Sequence, residues 1–239
     1  MGKKAIIIGA TSGIGRALAE QMSADGYTLG ITGRRVALLD EIKGTLPSET
    51  FIQQMDVTDT EAAAAGFASL VKEMGPVDLV IISAGIGHPN PGLDAALELE
   101  TIETNVSGFV VIAGVAFNHF KEHGKGHIVG ISSIAALRGG SIAPAYGASK
   151  AFVSNYMEAL RIRAVKKKLN ITVTDVLPGF VDTSMAKGNG MFWVAPVEKA
   201  AAQIITAIRA KKSRVYITKR WRLIAWVLRI LPEWLYAKS

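Results

Sequence analysis

The stretch KKAIIIGATSGIGRALAEQMSADG, residues 3–26, constrains this chain more than any other. A short apolar run stops at Gly9, three glycines fall within seven residues, and a helical pattern follows at once. Strand, glycine turn and helix in that order form the opening unit of a parallel sheet whose helix N-terminus can hold a phosphate. Gly9 permits the tight turn, Gly13 lets backbone approach a pyrophosphate, and Gly15 lets helix and strand pack closely. The spacing is G-x3-G-x-G, not the G-x-G-x2-G of the general dinucleotide pattern. A glycine-rich turn without a ligand is the bland alternative, and the flanking strand and helix argue against it.

The rest of the chain repeats the alternation. Strand-like runs recur at YTLGIT, FIQQMD, VDLVIIS, GHIVGIS, NITVTDVL and RVYIT, with helical segments between them. Among these helices are RVALLDEIKG, TEAAAAGFASLVKEMG, TIETNVSGFVVIAGVAFNHFKEHG and AYGASKAFVSNYMEALRIRAVKKKLN. Several strand runs are apolar without alternation, as in a parallel sheet covered on both faces. The pattern predicts a doubly wound α/β sheet in a single domain over residues 1–217, with a basic amphipathic tail at 218–239.

Composition narrows the function classes. With no cysteine in 239 residues, neither a disulfide framework nor a thiolate zinc site is possible. His119 and His123 stand four apart on an expected helix without an evident third ligand, so they read as a surface pair and no metal is expected. The net charge of +7 is unevenly placed: from Arg209 onward nine Lys/Arg face Glu233 alone, whereas the preceding 208 residues carry 18 basic and 19 acidic groups. The basicity belongs to the tail, so no basic stripe suggests nucleic acid.

Two stretches carry chemistry. In YGASK, Tyr146 and Lys150 are one helical turn apart, so the phenol and ammonium share a face. A lysine beside a phenol favours the phenolate and makes the phenol a better acid near neutrality, though such pairs also occur on solvated helices. At the end of the second strand, ITGRR has Gly33, Arg34 and Arg35 where a carboxylate would bond a ribose hydroxyl. Arg34, with Thr11, Ser12 or Arg16 nearby, suits the extra phosphate of NADP(H). Two solvated arginines are the alternative.

GATSGIG, ISAG, TNVSG, ISS, YGASK and PGFVDT resemble, in order and spacing, the short-chain dehydrogenase/reductases, over about residues 3 to 215. The resemblance implies a Rossmann-type sheet and a nicotinamide-dependent oxidoreductase. By position it makes Tyr146 the acid/base, Lys150 its pKa-lowering and ribose-binding partner, Ser133 the carbonyl-orienting hydroxyl, and Asn105 the holder of a relay water. Ser133 is preferred to Ser132 by its thirteen-residue spacing to the tyrosine. Ile14 would join the glycine loop, Asp56 and Val57 would meet the adenine, and Ala84 and Gly85 would flank the cofactor. Pro178, Gly179 and Thr183 would seat the nicotinamide. Ile8 and Ser83 depart from the family's usual threonine and asparagine. A homodimer or homotetramer in the cytoplasm is expected.

Two segments stay open in the sequence. SMAKGNGMFWVAP, residues 184–196, lies where the family puts a substrate lid; Met185, Met191, Phe192 and Trp193 suit either an apolar substrate or simple packing. In the tail, Arg222, Ala225 and Arg229 form one stripe and leave a broad apolar arc over residues 221–231. It is too short to span a bilayer, so residues 219–231 either lie on a membrane surface at its inner face, dock on the domain or a partner subunit, or stay disordered. The intact Ser133, Tyr146 and Lys150 favour an enzyme of carbonyls and secondary alcohols, with apolar or lipid-like substrates expected, over a non-catalytic cofactor-sensing or membrane scaffold protein.

Overall fold

A computed structural model of the chain describes residues 2–185 and 192–238. Seven strands, β1 (Lys4–Ile8), β2 (Thr28–Gly33), β3 (Thr50–Gln54), β4 (Leu79–Ile82), β5 (Lys125–Ile131), β6 (Asn170–Pro178) and β7 (Arg214–Ile217), form one sheet. Their order is β3-β2-β1-β4-β5-β6-β7, and every pairing is parallel. The chain winds outward from β1 to one edge, returns, and winds to the other edge from β4. The carboxyl ends of β1 and β4 therefore flank the point where the winding reverses, where doubly wound sheets bind ligands.

The unalternating strands follow from cover on both sides. Ala5 and Ile7 of β1 pack under α1 (Gly13–Ala24), α2 (Val36–Thr45) and α7 (Val197–Arg209), whereas Ile6 and Ile8 pack on the opposite face. That second face is covered by α3 (Thr60–Met74), α5 (Gly108–Glu122) and α6 (Pro144–Lys166). Neighbouring residues point to opposite faces of a strand, so each must be apolar when both faces are dry.

The long helix expected from Thr101 onward is interrupted. α4 (Ala95–Ile102) passes into a π-helical turn at Glu103–Ser107 before α5 begins. The run Ala95–Glu122 is long and apolar enough to cross a membrane by length and composition alone. However, Phe109, Ile112, Ala116 and Phe120 are buried in the core, so α5 is a core helix. The surface reading of His119 also needs correction. Its ring is buried, edge-on to Phe67 and Phe120, because α5 turns that face toward α3, and only His123 is exposed.

The tail folds into α8 (Trp221–Ile230) and α9 (Glu233–Tyr236). Docking is real but partial: Trp221 and Ala225 are each 2% exposed, while Trp226 is 65% exposed. The expectation of disorder fails for residues 221–236, because the indole of Trp221 is held in an aromatic cluster with Phe180 and Phe192.

Candidate active site

A cleft of about 590 Å³ opens at the reversal point, walled by the loop after β1, the ends of β2 and β4, and the segment after β6. Gly9 has φ +85°, and a Cβ there would lie 2.7 Å from the Ala84 backbone. A Cβ on Gly15 would meet the Gly9 carbonyl at 2.0 Å, so any side chain would push α1 off the turn. Of the expected cofactor contacts, Gly9, Thr11, Ser12, Gly13, Ile14, Arg34, Arg35, Asp56, Val57, Ala84, Gly85 and Thr183 all line this cleft. Both arginines flank the glycine loop, and they differ in their bonds. Arg35 donates to Thr11 Oγ1 at 2.8 Å and to Ser12 Oγ at 3.4 Å. Arg16 instead turns to Glu20 and Glu41, at 2.9 and 3.3 Å, and is spent there. A glycine cradle, a helix N-terminus and two exposed cations at one end are what a phosphorylated dinucleotide needs.

Beyond the β4 wall, α6 delivers Tyr146 and Lys150 from its first turns. Tyr146 lies with its ring against Gly87, where a Cβ would come within 2.5 Å of the ring. Lys150 is buried and donates from Nζ to the Ile131 carbonyl at 3.1 Å, 5.7 Å from the centre of the Tyr146 ring. Burial pulls the Lys150 ammonium down to about 8. Burial also raises the Tyr146 phenol above its ordinary value, and the hydrogen bond from Ser133 opposes that rise.

Ser133 starts a 3-10 turn (Ile134–Leu137) and accepts from the Ala135 N–H at 3.1 Å, which aims its hydroxyl hydrogen away from the backbone. Asn105 sits in the π-helical turn, where its amide brackets Ile86, donating to the carbonyl at 2.7 Å and accepting from the N–H at 2.8 Å. It also donates to Ser149 Oγ at 2.9 Å. Side-chain capacity is thereby used, and π turns of this kind recur at functional sites because they release a main-chain carbonyl.

The sequence model of the short chain dehydrogenase family matches residues 3–191. This chain belongs to that family. An uncharacterized oxidoreductase of Mycobacterium tuberculosis H37Rv is 30% identical over 240 residues, 96% of this chain and 94% of that one. The NADP-dependent 3-hydroxy acid dehydrogenase YdfG of Escherichia coli O6:H1 is 33% identical over 182 residues, 74% of this chain and 71% of the relative. Two solved structures share the fold at 22% identity and a TM-score of 0.82. They are ElxO with NADP bound, matched over 93% of this chain and 100% of that one, and a Brucella melitensis 3-ketoacyl-(acyl-carrier-protein) reductase complexed with NADH, matched over 91% and 97%. The chain is thus an oxidoreductase of a family that binds a nicotinamide cofactor and acts on small molecules.

Within this short-chain dehydrogenase, two supporting carboxylates escaped the reading of the sequence. Asp175, fully buried on β6, accepts from Ser132 Oγ at 2.5 Å and Ser154 Oγ at 2.6 Å, and pairs with Arg214 at 3.2 Å. Ser132 is therefore structural, which leaves Ser133 to face the phenol. Glu98 of α4 caps α6, accepting from the Ala145 N–H at 2.8 Å just before Tyr146. A lone acid inside the apolar run NITVTDVL was the available signal for Asp175; nothing local marked Glu98.

Pro178 and Gly179 stand apart from the other expected contacts, outside the cleft wall. Gly179 lies under the Trp221 indole, where a Cβ would come within 2.0 Å of the ring. Met185 reaches the cleft, Phe192 stacks on Trp221 at 5.2 Å, and Trp193 is half exposed. Met191 lies outside the described residues.

Proposed function

We propose that this oxidoreductase interconverts a carbonyl and a secondary alcohol with NADP(H), on an apolar substrate. The observation that carries the reading is the joining of two chemistries in one groove: Arg34 and Arg35 at one end, and Tyr146, Ser133 and Lys150 beyond the other. When bound, NADPH supplies the hydride. The protein's task is to stabilise charge as it develops on the carbonyl oxygen. Ser133 donates a hydrogen bond to that oxygen and Tyr146 delivers the proton. Lys150 refills the proton through the water that the Asn105 turn holds, and its depressed pKa suits it to that exchange near neutrality.

Thr11, Ser12, Arg34 and Arg35 hold the extra phosphate, Asp56 and Val57 the adenine, and Ala84 and Gly85 the middle of the cofactor. Ile14 and the glycines Gly9, Gly13 and Gly15 cradle the pyrophosphate, while Pro178, Gly179 and Thr183 seat the nicotinamide. The NADP dependence of the Escherichia coli 3-hydroxy acid dehydrogenase supports this preference. Exposed Phe152, Ile162 and Val165 along α6 support a homodimer or homotetramer. We place the protein in the cytoplasm, with residues 218–239 as a distinct tail that meets the inner face of a membrane.

Titrating the protein with NADPH and NADH, then measuring turnover of Tyr146→Phe, tests the reading. NADPH should bind at least ~10-fold more tightly, as one charged hydrogen bond allows. Loss of the phenol should lower turnover by roughly 10²-fold or more with cofactor affinity kept. Equal affinities would remove the NADP assignment, and unchanged turnover would remove Tyr146. Cofactor binding with no turnover of any carbonyl would favour a sensing role.

A further inference from the structure

α8 has two apolar faces with opposite fates. One carries Trp221 and Ala225 into the domain; the other turns Leu223, Trp226 and Ile230 outward, each more than half exposed. α9 extends that open surface with Trp234, 66% exposed. Among the described residues none covers this face. Its border is cationic: Lys219, Arg220, Arg222, Arg229 and Lys238 surround it against Glu233 alone. Tryptophans with an apolar band between cations match the interface of an anionic bilayer. At ten residues, α8 is about 15 Å long, half the hydrocarbon thickness, so it lies along the surface. A second copy fits less well, because a two-fold pairing would bring two such cationic borders together.

The same tail is tied to two segments that adjoin the site. On one side Arg138, at the end of the turn that starts at Ser133, donates to the Leu231 carbonyl at 2.6 Å and lies over the Tyr236 ring at 5.2 Å. On the other, Arg220 donates to the Trp193 carbonyl at 2.9 Å and stacks on its ring at 5.0 Å. Phe192 and Trp193 are both partly exposed beside this tail, Phe192 stacked on Trp221 at 5.2 Å. A bilayer against α8 and α9 would therefore lie next to the segments that carry Ser133 and Trp193.

We infer that the open face of α8 and α9 rests on an anionic membrane surface and that the site takes its carbonyl or alcohol substrate from the lipid phase. The second half of this inference rests on the oxidoreductase reading; the first half does not. The full-length chain should float with vesicles of phosphatidylcholine and phosphatidylserine at low salt and be released as salt rises. The triple variant Leu223→Ser, Trp226→Ser, Ile230→Ser should lose at least ~10-fold in partition, because three large apolar groups leave the interface. It should still reduce a short water-soluble ketone at the parental rate, while reduction of a long-chain ketone dissolved in the vesicles falls. Wild-type protein that fails to float with the anionic vesicles would overturn the inference. So would parental turnover of the vesicle-borne ketone by the triple variant. A dimer-to-monomer shift in that variant, seen by sedimentation without any vesicle binding in the parent, assigns the face to a second copy instead. Flotation with no turnover of either ketone removes the oxidoreductase reading and the lipid-borne substrate with it, and leaves the membrane contact supported.

Discussion

α6 and α8 break the ordinary rule of burial in opposite directions. α6 carries polar groups inward: Ser149, Lys150 and Ser154 are all buried. α8 carries apolar groups outward, with Leu223, Trp226 and Ile230 in solvent. On α6 every inward group has a partner. Ser149 donates to the Tyr146 carbonyl at 2.8 Å, Lys150 to Ile131, and Ser154 to Asp175. On α8 the outward groups have none among the described residues. Buried polar groups and exposed apolar patches are the two departures that carry information, since the reverse arrangements need no explanation. Here the first gathers the polar groups of the proposed proton-transfer site, and the second leaves a surface that water alone does not suit.

Three measurements sharpen or break that contrast, taken from the largest expected effect to the smallest. Trp221→Ala should destabilise the fold by about 3–5 kcal/mol, the range for truncating a buried tryptophan. Denaturant unfolding reads this directly. Trp221→Phe should lose less, because the indole N–H it removes has no hydrogen-bond partner. A small loss from the alanine variant would mean that α8 is not anchored through this residue.

Lys150→Met should abolish turnover yet raise stability at pH 7 by on the order of 3 kcal/mol, the equivalent of bringing a lysine from 10.5 to about 8. The pH dependence follows from which state holds the proton. Below about pH 8 lysine is charged in both states, and the folded chain bears the full cost of burying it. Between about 8 and 10.5 only the unfolded chain keeps the proton, so folding of the parent becomes more favourable as pH rises. The advantage of the methionine variant should therefore shrink across that window and vanish above it. Paired thermal melts at pH 7 and pH 10.5 check this. A constant gap would show that the ammonium is not the source of the cost.

Trp226→Ser should change stability in water by no more than about 0.5 kcal/mol, as for an exposed position. The same denaturant series reads it beside Trp221→Ala. Equal losses at the two tryptophans would mean that the outer face is covered after all, and the contrast between α6 and α8 would disappear.

Much of the frame was legible before any coordinates. The Gly9–Gly15 loop announced the cleft because a backbone that must turn and approach closely leaves glycine as the only residue that fits. Helix periodicity put Tyr146 and Lys150 on one face for an equally local reason. What escaped depends on contacts between distant segments. Which of the two arginines bonds Thr11 was not legible; it is Arg35, as the path of α2 away from β2 decides. His119 read as surface because its burial depends on Phe67, more than fifty positions earlier. Asp175 and Glu98 went unseen for the same reason, since their partners Ser132, Ser154 and Ala145 lie 21 to 47 positions away.

By itself the sequence determined the doubly wound sheet, the family and the pairing of tyrosine with lysine, because period, glycine placement and helical spacing act over a few residues. Only the tertiary structure decided what holds Ser132, which way the Lys150 ammonium points, and which half of α8 is covered. Each of those choices is a competition between through-space neighbours, and it is settled only when distant segments are brought within hydrogen-bond or van der Waals reach.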